Sequence, residues 1–140
     1  MPHFYAECTD NIREQAQLPE LFAKVSQNLA ASGIFPLAGV RCRAIWLDTW
    51  QMADGAHDYA FVHMTLKIGH GRSQESKKRV AESLFTLIQQ HFAPLMAERY
   101  LAISFEMVEL DAEFNFKQNN VHALFDTASV NSVSSDKGGQ

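Results

Sequence analysis

Apolar residues in this chain alternate twice between a spacing of two and a spacing of three or four, and few folds accommodate that order. In "YAFVHMTLKI" (59–68), Ala60, Val62, Met64, Leu66 and Ile68 share one face of a strand. "GHGRS" (69–73) turns the chain, and Val80, Leu84, Leu87, Ile88, Phe92 and Leu95 then form a helical stripe. "YLAISFEMVEL" (100–110) reads as a further strand. The same order stands earlier. "PHFYAEC" (2–8) is strand-like and is closed by "TDN" (9–11), after which Leu18, Leu21, Phe22, Val25 and Leu29 recur at helical spacing. Pro19 is tolerated only in a first turn, which places the helix start near residue 18, and Gly33 and Pro36 end it. "AGVRCRAIWLD" (38–48) is the second strand, followed by a loop of turn formers over 48–58.

This order predicts an α+β fold of tandem βαβ units (βαββαβ), a four-stranded mixed sheet with two helices on one face. Each unit should cross over right-handed between parallel strands. Two helices leave the other sheet face uncovered. On the third strand that face carries Tyr59, Phe61, His63, Thr65 and Lys67, too aromatic to be simply solvated, so association with further copies is expected there. A chain of 140 residues with 46% hydrophobic and 20% charged residues is one globular domain, assigned to residues 1–126. The Ser/Asn/Gly-rich tail over 127–140 is expected to be disordered.

Composition also narrows the function. A net charge of −4 argues against nucleic acid, whose binding rests on neutralising phosphates. No stretch approaches the ~18 consecutive apolar residues of a membrane span, and no signal-peptide pattern precedes the first strand. A cytoplasmic location is expected. Cys8 and Cys42 lack C-x-x-C spacing and read as ordinary thiols of a reducing compartment. None of the histidines at 3, 57, 63, 70, 91 and 122 has zinc-site spacing, so no metal or other cofactor is expected, and His91 reads as a packing residue in the second helical stripe. No G-x-S-x-G motif marks a serine nucleophile.

Four residues remain as candidates for chemistry. Pro2 follows the initiator methionine, and loss of Met1 alone would make its nitrogen a free secondary amine. Arg41 and Arg43 lie two apart and share the uncovered face, where they can either pair between subunits or clamp a carboxylate. Arg72 lies between a strand end and a helix start, a place favourable to anions, with Ser73 as helix cap.

The runs "MPHF", "DNIRE", "LFAKV", "GIFPLAG", "DTWQMADG", "DYAFVHMTLKIG", "GRS" and "NFKQNNVHALF" resemble the 5-carboxymethyl-2-hydroxymuconate delta-isomerase family of the tautomerase superfamily. The resemblance covers roughly residues 2–125. It implies a homotrimer built around the open sheet faces and an N-terminal proline as the acid–base group, with no cofactor or metal. It implies a tricarboxylate substrate from homoprotocatechuate and 4-hydroxyphenylacetate breakdown, isomerised to 5-oxopent-3-ene-1,2,5-tricarboxylate. Pro2, Arg41 and Arg72 are then the expected catalytic residues, with Arg41, Arg43 and Arg72 holding carboxylates. Two other readings stay open: a tautomerase of another enolisable keto acid, of the phenylpyruvate type, and a non-catalytic module that senses a small anion.

Overall fold

The computed structural model describes residues 1–125; the expected boundary at Asp126 and the tail after it lie outside the described residues. Strand β1 (His3–Thr9) leads through a 3-10 turn to helix α1 (Leu18–Ala31) and strand β2 (Arg41–Leu47). Strand β3 (Ala60–Ile68), helix α2 (Gln74–Glu98) and strand β4 (Leu101–Glu109) repeat the pattern. The four-stranded sheet has the order β2-β1-β3-β4. β1/β2 and β3/β4 are parallel, and β1/β3 are antiparallel, so the sheet is mixed as the alternation predicts.

Helix ends follow local chemistry. Gln17 turns into α1 in a left-handed conformation (φ 47°), and Pro19 falls in the first turn, where a missing N–H costs nothing. The Ser32 hydroxyl closes the other end by donating to Leu29 O at 2.6 Å, and Gly33 (φ 81°) turns the chain away. Ser73 caps α2 by accepting from Ser76 N at 3.1 Å.

Both helices lie on one side of the sheet. Phe4, Ala6, Cys8, Val62, Met64, Leu66 and Ile68 point into that side and are buried against Leu21, Val25 and Leu29 of α1 and Val80, Leu84, Ile88 and Phe92 of α2. Each fully buried Val, Leu, Ile, Phe or Met among them stabilises the fold by ~1.5–3 kcal/mol. His91 packs edge-to-face on Phe92 (4.9 Å) and its Nε2 lies 2.8 Å from Ala16 O, the packing role its stripe position predicts.

The opposite face is uncovered. The register places Arg41, His3 and Lys67 side by side in one rung, and Arg43, Tyr5 and Thr65 in the next. All four strands are offset from the sequence reading by one to three residues at one end or both, and two of the offsets have a visible cause. Residues 38–40 are not strand: Leu37–Gly39 forms a 3-10 turn, with Gly39 N donating to Pro36 O (3.0 Å) and Val40 N to Leu37 O (3.1 Å). Tyr59 precedes β3, and its hydroxyl donates to Asp54 Oδ1 at 2.8 Å. In both cases local turn hydrogen bonds outcompete the sheet ladder.

Candidate active site

The first sheet hydrogen bond sets the position of Pro2. Its carbonyl accepts from Arg41 N at 3.0 Å, so the start of β1 is tied to the start of β2 and Pro2 is buried. The Leu37–Gly39 turn lies against it: a Cβ built on Gly39 would come 3.6 Å from Pro2 Cδ and 3.7 Å from Met1 Cα. Arg41 folds back over this turn, its Nη1 donating to Gly39 O (2.6 Å) and Ala38 O (3.2 Å). Asn119, from the irregular segment after β4, donates to the same Ala38 carbonyl at 3.0 Å. One turn thereby docks the N-terminus, an arginine and the last described segment.

Arg72 reaches the same end of the sheet from the β3–α2 loop. Its Nη1 donates to Gly69 O (3.1 Å) and its Nη2 to Ile34 O (3.0 Å), and the guanidinium lies 4.4 Å over the Phe35 ring. A guanidinium carries five N–H donors, so both arginines are braced by backbone while keeping donors for a ligand.

Two recesses open here. One, of about 290 Å³, is lined by Met1, His3, Arg41, Leu110, Phe116 and Lys117 among others. The second, of about 300 Å³, has Met1, Pro36, Gly39, Arg72, Lys117 and His122 in its wall. Met1 lines both, so its removal enlarges each. The terminal amine is held below its ordinary pKa of 8.0, first by burial and then by the cations Lys117, Arg72 and Arg41. His3 is also held below its ordinary value, by burial and then by Arg43 and Arg41, which favours a neutral imidazole. Among the described residues, none of Arg41, Arg72 and Lys117 pairs with a carboxylate. Two half-buried guanidiniums and an exposed ammonium, none paired with a carboxylate, make a binding site for an anion of matching charge.

Arg41 and Arg72 thus flank the chain start from separate recesses, and Pro2 is buried between β1 and the Leu37–Gly39 turn. Arg43 stands apart from the recess walls, with Nη1 3.1 Å from His3 Nδ1 and its guanidinium 4.9 Å over the Tyr5 ring. Lys117 was not singled out from the sequence. Only docking of the segment after β4 reveals it, since no periodicity marks the position; its sole signal was a cation in the run "NFKQNNVHALF". The N-terminus of α2 is capped by Ser73, and Arg72 turns away from it toward Ile34. A larger groove of about 580 Å³ between α2 and β4, lined by Lys77, Lys78, Met107 and Glu109 among others, lacks any of these groups. Among the described residues no His, Cys, Asp and Glu converge as a metal-ligand set, and no helix is long and apolar enough to cross a membrane.

The 5-carboxymethyl-2-hydroxymuconate isomerase family matches residues 2–125. The chain belongs to that family. It is 69% identical over 125 residues to the 5-carboxymethyl-2-hydroxymuconate Delta-isomerase of Escherichia coli, a match over 89% of this chain and 99% of that one. The crystal structure of a 5-carboxymethyl-2-hydroxymuconate isomerase from Deinococcus radiodurans R1 is 40% identical, with a TM-score of 0.83 over 89% of this chain and 93% of that one. A second solved 5-carboxymethyl-2-hydroxymuconate delta-isomerase, 24% identical, shares the fold at the same TM-score and coverage. These family members span nearly the whole described chain, including the segment that carries Lys117.

Proposed function

We propose that this chain isomerises 5-carboxymethyl-2-hydroxymuconate to 5-oxopent-3-ene-1,2,5-tricarboxylate, with Pro2 as the acid–base residue once Met1 is removed. The observation that carries the reading is the buried chain start enclosed by Arg41 and Arg72, neither of them paired with a carboxylate. An ordinary α-amino group titrates near ~8. Burial and the neighbouring guanidiniums disfavour its protonated form, so the Pro2 amine is neutral at working pH and able to accept a proton.

The neutral nitrogen takes the proton from the 2-hydroxyl. The C2–O bond becomes a carbonyl, the conjugated electrons shift along the chain, and C5 receives the proton back from the ammonium. The pyrrolidine ring keeps the nitrogen aimed throughout. Arg41 and Arg72 hold carboxylates, and the remaining N–H donors of Arg41 stabilise the negative charge that builds on oxygen as the dienol ionises. The overall change is a proton transfer with no net oxidation. Arg43, engaged with His3 and Tyr5 on the sheet face, braces His3 at the edge of the site.

The same reading makes the protein a homotrimer that joins through the uncovered sheet face and works on a small anionic substrate in a reducing cytoplasm. Cys8 and Cys42 as free thiols support the last point, with burial pushing the Cys8 thiol up to about 12.

The test is turnover of the tricarboxylate dienol beside that of a phenylpyruvate-type enol, which carries one carboxylate. The reading expects the tricarboxylate to win by at least ~10²-fold in kcat/KM, the effect of losing two charge-assisted contacts. Preference for the monocarboxylate would assign the site to another keto acid. Binding of the tricarboxylate without turnover would make the protein an anion sensor.

A further inference from the structure

We infer that Lys117 is a specificity-determining residue whose ammonium receives the carboxymethyl carboxylate of the substrate; the inference rests on the isomerase reading above. Three observations lead to it. Lys117 lines both recesses, whereas Arg41 lines only the first and Arg72 only the second. Met1 lines the same two recesses, so Lys117 borders the space that removal of Met1 leaves at the chain start. Among the described residues it has no carboxylate partner. The site therefore offers three unpaired cations to a substrate with three carboxylates.

Chemistry assigns one cation to each carboxylate. The carboxylates at the two ends of the dienol are conjugated and planar, which suits the flat, forked guanidiniums of Arg41 and Arg72. The third hangs from a saturated methylene and swings, which suits a point charge on a flexible stem. That methylene is bonded to C5, the carbon that takes the proton. An amine placed to protonate C5 therefore has the carboxymethyl arm beside it, and Lys117 is the cation that lines both recesses Met1 vacates there. Its segment is docked independently of Lys117, by Asn119 on Ala38 O and by Leu110 N on Ile68 O at 2.7 Å. Lys117 itself is exposed, so replacing it leaves the core untouched.

The experiment compares two dienols on the full-length, processed protein: 5-carboxymethyl-2-hydroxymuconate, and 2-hydroxymuconate, which lacks the arm. Both are assayed at a pH high enough for the amine to be neutral in every variant. The ratio of kcat/KM between the two dienols should fall about tenfold to a hundredfold in Lys117→Ala, as expected for one charge-assisted contact. Most of the loss should appear in KM for the tricarboxylate, and Lys117→Arg should restore at least half of the discrimination on a logarithmic scale. A ratio that stays within twofold of the parent in Lys117→Ala overturns the inference while leaving the isomerase reading intact. A parent protein that isomerises neither dienol overturns the reading, and the inference with it.

Discussion

Arg41 and Arg72 are both pinned to loop carbonyls, and that pinning decides how their replacement should read out. Arg72 is held by Gly69 O and Ile34 O over the Phe35 ring, a rigid arrangement formed before any ligand arrives. Its remaining donors suit a carboxylate whose charge is the same before and during reaction. Arg72→Ala should therefore raise KM and leave kcat nearly unchanged. Arg41 closes on Ala38 O and Gly39 O beside the chain start, where charge develops as the proton moves. Arg41→Ala should lower kcat and kcat/KM together, by the ~1.5–3 kcal/mol of one charge-assisted hydrogen bond. Steady-state kinetics of the two variants checks this, and identical effects in both would contradict the division of roles. The same cations set the pH profile. On the proposed mechanism the neutral Pro2 amine is the active form, and the burial and cations that hold the Met1 amine below its ordinary 8.0 act on it in turn, so kcat/KM should rise with pH and level off before that value is reached. A limb centred above 8 would mean that the cations around the chain start do not act on the base.

Gly71 links the end of β3 to the cap of α2 and carries a backbone φ of 111°, which L side chains rarely adopt. A Cβ there meets nothing within 4 Å, so the cost of Gly71→Ala is conformational rather than steric. It should destabilise the protein by at least ~1–2 kcal/mol, seen as a lower urea midpoint with unchanged slope; an unmoved midpoint would show that the turn relaxes freely. Elements of this kind were legible in the sequence because their cause is local. The alternation in β3, the stripe of α2, Ser73 as cap and Pro19 in a first turn all act within a few residues of themselves. The hydrogen bond from Arg41 N to Pro2 O depends on the β1/β2 register, which no residue spacing encodes. Lys117 was not legible at all, since its place depends on Asn119 meeting the Ala38 carbonyl, a contact between distant parts of the chain that no spacing encodes. The start of β2 was misread for a related reason: Pro36 and Gly39 close a 3-10 turn where residue preference alone extends the strand.

At the scale of the whole molecule the uncovered sheet face is the dominant feature. It presents Tyr5, Phe61 and Ile45, the last 48% exposed, and the segment after β4 leaves Phe116 and Leu124 at 85% and 72% exposed. Apolar surface of this extent is commonly an association site, and sedimentation at micromolar concentration should show a trimer. A stable, active monomer would contradict association through this face. On the proposed mechanism the chemistry depends on one bond at the chain start. While Met1 remains, the Pro2 nitrogen is an amide, without basicity, and Met1 fills part of both recesses. Intact mass and isomerase rate measured on the same preparation test this directly. The account predicts a mass short by one methionine residue and, in partly processed samples, a rate proportional to the processed fraction. Full activity in protein that retains Met1 would contradict it.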